Sequence, residues 1–155
     1  YLMAQLALRG QGDAAAAAKR LVDYQKANPQ SHHFYDASEA LGQLAASMGK
    51  VEAAAKYFSD MKSAASTETK MRSKYLLGTI LLNQGKAPEA RASFKEVADG
   101  NADSPNGKKF QKLARIALYR CDVLDGKGDE AIAGLHKLIE DSDTADSLLM
   151  AGVYN

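Results

Sequence analysis

The chain has 155 residues, 46% apolar and 25% charged, with a formal net charge of +1. That is the profile of one globular domain rather than a disordered tail, and the balanced charge offers no basic face for nucleic acid. A single cysteine, Cys121, excludes an internal disulfide and a cysteine-based zinc site within one copy. No stretch approaches the roughly 18 apolar residues that span a bilayer. The chain is rich in alanine, lacks tryptophan and has few prolines, three in all, a composition that favours helix.

In chain order, Tyr1 to Arg9 reads as the tail of a first helix, closed by Gly10 and Gly12. Asp13 is an N-cap for a second helix to about Ala27, stopped by Asn28-Pro29. Ser31 or His32 opens a helix to about Met48, Gly49 breaks it, and its partner runs from about Val51 to Ala65. Ser66 or Thr67 caps a helix to Gln84. After Gly85, Pro88 starts another that ends near Ala98. Asp99 to Gly107 is expected to be a long loop. A last pair covers about Lys108 to Leu124 and Asp129 to Glu140, and Thr144 is expected to cap a helix from Ala145 to about Tyr154. No useful segment alternates with period two, so no strand is expected.

The organising feature is a repeat. Turn glycines at Gly12, Gly49, Gly85 and Gly126 lie 37, 36 and 41 residues apart, and each is followed five residues later by alanine: Ala17, Ala54, Ala90, Ala131. Each unit is a pair of short antiparallel helices that cannot bury its apolar stripe alone, so stacked units form a continuous core. The small residues Gly42, Gly78, Ala54 and Ala90 mark where helices approach closely, and Phe58 and Phe94 fill the gap between units. An ordinary antiparallel bundle is the alternative, and register kept over three intervals argues against it.

Leu41, Gly42, Gly49, Ala54 and Phe58, and again Leu77, Gly78, Gly85, Ala90 and Phe94, resemble the tetratricopeptide repeat. Pro29 stands where that family often ends a repeat. The resemblance covers about Tyr1 to Asp141 and implies an all-α, right-handed solenoid of about four helix pairs, forming one domain over residues 1–155 with units near 1–29, 30–65, 66–104 and 105–141. The fourth unit departs from the pattern: Tyr119 stands at the small first-helix position and Leu135 at the aromatic one. In the first unit Ala4-Gln5 replaces Leu-Gly. Looser packing or a shifted register is expected at these ends. Because the chain begins mid-pattern at Tyr1, it is expected to be part of a longer protein, which leaves its compartment open.

No catalytic constellation is found, and no cofactor or metal is expected. His32 and His33 are adjacent and point about a hundred degrees apart on a helix, so they cannot chelate as an i, i+4 pair would. His136 reads as a solvent-facing residue and Cys121 as a small core residue. Gly126-Lys127-Gly128-Asp129 lacks the strand and the Lys-Ser/Thr ending of a phosphate loop.

The resemblance implies instead a concave groove lined by the first helix of each pair, holding a protein or peptide. By register its candidates are Asp36, Glu39 and Gln43; Arg72, Tyr75, Thr79 and Leu82 or Asn83; and Leu113, Ile116 and Arg120. Tyr75 is expected to be an exposed aromatic anchor flanked by Arg72 and Thr79. Some family members grip a C-terminal carboxylate with Lys, Asn and Arg on these helices. Glu39 and Gln43 stand at such positions here, so no clamp of that kind is expected. The leading function is a non-catalytic protein-interaction scaffold that neither binds nucleic acid nor inserts into a membrane, with self-association through exposed terminal repeats as a further partner mode. A structural spacer, or an accessory domain of a larger enzymatic protein, is the alternative.

Overall fold

A computed structural model describes residues 13–140. The helices expected at Tyr1 to Arg9 and at Ala145 to Tyr154, with Gly10 and Gly12, lie outside the described residues. Within them are seven α-helices and no strand: α1 (Ala14–Ala27), α2 (Phe34–Ser47), α3 (Val51–Asp60), α4 (Thr67–Asn83), α5 (Ala87–Ala98), α6 (Pro105–Leu124) and α7 (Gly128–Glu140). Each packs on its neighbours in sequence, and α4 also packs on α2 and α6. This is an all-α helical repeat in which α2, α4 and α6 are first helices and α3, α5 and α7 their partners.

The three turns inside the pairs are the same backbone device. Gly49, Gly85 and Gly126 have φ of 71°, 74° and 78°. Each N–H donates back to the carbonyl three residues earlier, and the lysine that follows donates to the carbonyl five residues earlier, as in Gly49 to Ala46 and Lys50 to Ala45. Lys86 to Leu81 and Lys127 to Asp122 repeat it at 2.9 Å. This is a Schellman ending, and only glycine takes its left-handed position without steric cost. The lysine carbonyl then accepts the first helical bond of the partner helix, from Ala54, Ala90 or Ala131. The five-residue spacing in the sequence is therefore the turn plus one helical turn.

Those alanines are fully buried, and so are the rings opposite the small first-helix residues. A Cβ added to Gly42 would fall 2.7 Å from Phe58 Cδ1, and one on Gly78 would fall 2.7 Å from Phe94 Cε1. The fourth pair reverses the arrangement. Tyr119 comes from the first helix, and the glycine it covers, Gly134, comes from the second; a Cβ there would lie 2.6 Å from Tyr119 Cζ. The third turn keeps the same hydrogen bonds as the first two, so the register of the fourth pair holds. Its packing is looser, as α7 buries only Ala131 and leaves Ile132 exposed. Ala4-Gln5 of the first unit lies outside the described residues.

Three element boundaries differ from expectation. Helix α2 starts at Phe34 behind His33, and not at Ser31 or His32, because Ser31 is spent in the preceding turn, where its Oγ accepts from His33 N–H at 3.2 Å. Helix α6 starts at Pro105 and not Lys108, which shortens the expected loop. Ser104 caps it by accepting from Gly107 N–H at 2.9 Å, and Pro105 occupies the first turn where no N–H is needed. At the end of α3 the chain tightens into a 3-10 turn, Met61–Ser63, with Ser63 donating to the Asp60 carbonyl.

Side-chain bonds pin successive helices together. The Gln25 amide on α1 donates to the Phe34 carbonyl at 3.0 Å and to Ser38 Oγ at 2.7 Å. Buried Ser73 on α4 donates to the Phe58 carbonyl at the end of α3. Arg91 on α5 forks onto Asp122 at 2.7 Å and Asp125 at 2.6 Å, fixing the end of α6.

The reversed pair is open to a double-mutant cycle. Gly134→Ala alone should destabilise the fold by about 1–3 kcal/mol, the usual cost of overpacking. In a Tyr119→Ala background the clash is gone, and the same change should become neutral or stabilising by up to about 1 kcal/mol through helix propensity. Chemical denaturation of the four proteins measures the sign change. Additive effects would show that ring and glycine do not meet.

Candidate functional site

The first-helix face is built in rows. Positions 36 residues apart in units two and three, and 41 apart in units three and four, are equivalent, so the candidates fall into Asp36–Arg72–Leu113, Glu39–Tyr75–Ile116 and Gln43–Thr79–Arg120. Stacking puts members of a row side by side on α2, α4 and α6.

The first row carries an ion network. Arg72 Nη2 donates to Asp36 Oδ1 at 3.3 Å, and Arg72 Nε lies 2.9 Å from Glu39 Oε2. The Nε–H is not aimed at that oxygen, so this second contact is Coulombic and not a formed hydrogen bond. Asp36 also faces the exposed His33 at 3.2 Å, and Gln43 donates to Glu39 at 3.2 Å. Arg72 is thus held by its own chain, although it was expected to flank a ligand. Burial pushes the Glu39 carboxyl above its ordinary value of 4.5; Arg72 opposes the rise and Asp36 adds to it.

The middle row is largely core. Tyr75 is not the exposed anchor the sequence suggested: its ring is half-buried, 5.8 Å from both Phe94 and Phe110, and it ties α4 to α5 and α6. Burial raises its phenol, against hydrogen bonding from Thr79 and the charge of Arg120. Ile116 is only 4% exposed and Leu82 9%, so neither offers a surface; both lie on sides of their helices that are covered by packing.

The third row stays open. Thr79 donates to the Tyr75 carbonyl at 3.1 Å and keeps its side chain beside the Tyr75 hydroxyl. Asn83, one turn further along α4, is exposed, and so is Arg120. Arg120 makes no ion pair among the described residues, where the nearby acids Asp122 and Asp125 are held by Arg91. Leu113, half-buried, completes the α6 stripe.

The other residues singled out do not join this face. His32 and His33 stack on each other in the exposed turn before α2, and His136 is exposed on α7. Cys121 is fully buried, and burial pushes its thiol up, with Arg91 opposing; that favours the unreactive thiol over the thiolate. A cavity of about 210 Å³ lies at the N-terminal ends of α4 and α6, where Ser104 donates to Glu68 at 2.8 Å and so closes its polar groups on each other.

The Asp36–Arg72 bond was within reach of the sequence: opposite charges one repeat apart are predicted to stand side by side. What periodicity could not show was that the same spacing consumes Arg72 and buries Tyr75 under two rings.

Over residues 2–69 the chain matches a family model described as tetratricopeptide repeat. No curated protein and no solved structure matches the chain. No described helix is long and apolar enough to cross a membrane.

The raised Glu39 carboxyl gives a pH test. The folded state holds this proton more tightly than the unfolded chain, so Glu39 lowers stability as pH rises from about 4.5 through its folded value. Glu39→Gln should therefore match the parent at lower pH and gain on it as pH rises through that window, in denaturation midpoints taken at several pH values. A parent that instead gains on the variant would show that the Arg72 attraction outweighs burial.

Proposed function

We propose that this chain, which belongs to the tetratricopeptide repeat family, is a non-catalytic scaffold that holds a protein or peptide partner across α2, α4 and α6. Tetratricopeptide repeats generally mediate protein–protein interaction, and the family is typically non-catalytic. Use of the first-helix face is our reading, carried by one observation. Ion pairing ties α2 to α4 and ring packing ties α4 to α6, while Asn83 and Arg120 remain exposed and without hydrogen bonds to described residues. A rigid surface with unspent polar groups loses little entropy on binding.

The chain is read as one repeat domain, and self-association through terminal units remains part of the proposal. A spacer would leave the first-helix face empty.

Titrating isotope-labelled protein with a degenerate octapeptide library separates the two readings. Amide shifts should concentrate at residues 75–83 and 113–120, and leave the exposed sides of α3 and α5 unmoved. Absence of saturable shifts, or shifts confined to the second helices, would remove the groove reading in favour of a spacer.

A further inference from the structure

The charge on the first helices is unevenly spent. Helix α2 carries two acids, Asp36 and Glu39, and no lysine or arginine; both acids face Arg72. Helix α6 carries five cations, Lys108, Lys109, Lys112, Arg115 and Arg120, against one acid, Asp122. Asp122 is already bound by Arg91, and Lys112 is engaged elsewhere. The near-neutral total therefore hides a face that is charge-satisfied at its α2 end and that carries Lys109 and Arg120, the two α6 cations that share one side of the helix, at its other end.

Arg120 is the cation placed to use this. It ends the row Gln43–Thr79–Arg120, and its charge reaches the half-buried Tyr75 phenol on α4, where the Thr79 hydroxyl is already spent on the Tyr75 carbonyl. Exposed Lys109 and half-buried Leu113 precede it on α6 at a spacing that keeps all three on one stripe. Building on the groove reading above, we infer that the α4–α6 half of the face takes an acidic side chain of a partner polypeptide, received by Arg120, while the α2 half takes uncharged polar or backbone groups.

A polypeptide fits better than nucleic acid. A continuous polyanion along the row would meet Asp36 and Glu39 at the far end, where a single Arg72 already serves both. It would also find no free stacking platform, since Tyr75 is packed against Phe94 and Phe110. A single carboxylate meets neither obstacle, and the paired N–H donors of a guanidinium match its two oxygens.

The test uses three degenerate octapeptide pools with the same composition and a fixed central Glu, Gln or Lys, plus a single-stranded oligodeoxynucleotide of eight residues. The Glu pool should bind better than the Gln pool by about fivefold, the scale of one exposed charge pair, and the Lys pool worst. Arg120→Glu should invert that order. Arg115→Glu, on a cation about 140° away around the helix, should leave it within about twofold. Both arginines are exposed, so thermal melts should match the parent. Pools that bind without preference for Glu would overturn the acidic ligand and leave the scaffold standing, whereas failure of all three would remove both. Equal losses in the two variants, or oligonucleotide binding as tight as the Glu pool, would reduce Arg120 to unspecific charge and overturn the inference.

Discussion

The contact on which the array depends is an aromatic ring laid on a glycine between the two helices of a pair. Gly42 under Phe58 and Gly78 under Phe94 let the helix axes come close enough for Ala54 and Ala90 to be fully buried. Burial of such a ring is worth about 3–5 kcal/mol against alanine, more than any exposed ion pair on this protein can supply. Because the ring fills the space the glycine leaves, the pair is a fixed wedge, and stacked wedges set where the first helices stand. The arrangement of the candidate face is in that sense an outcome of packing on its far side.

Much of this was legible in the sequence. A left-handed turn favours glycine, so Gly49, Gly85 and Gly126 announce the turns, and the alanines five residues on mark where the partner helix must be small. What escaped came from two sources. One is local chemistry outweighed by composition: Asp99 to Gly107 looks like a loop by residue type, yet Ser104-Pro105 is a complete helix start. The other is competition between partners. Register puts Tyr75 and Arg72 on the first-helix face, but only the packed structure shows that neighbours have already taken them. Thr79 is half-buried and Asn83 and Arg120 are exposed, the last two without side-chain hydrogen bonds among the described residues.

The face that results has one end at electrostatic rest and one end not. Asp36, Glu39 and Arg72 spend their charges on fixing α2 against α4, which makes that end a strut. The α6 end spends its only acid on α5, through Arg91, and leaves cations outward. Support and the proposed recognition thus fall on different rows of the same helices, linked only where Gln43 donates to Glu39.

The fourth pair shows what kind of rule the wedge obeys. Its ring sits on the first helix and its glycine on the second, so the constraint falls on the summed volume at a crossing point and not on either position. Moving between the two arrangements takes at least two replacements, and their order matters. Adding the second ring first crowds two aromatics into the space of one; removing the first ring first leaves a void. Only the route through the void keeps the backbone where it is, so chains of this design should drift by way of small residues at both positions. A positional pattern that demands glycine on the first helix is blind to the reversed pair, which explains how a unit can lose the signature and keep the shape.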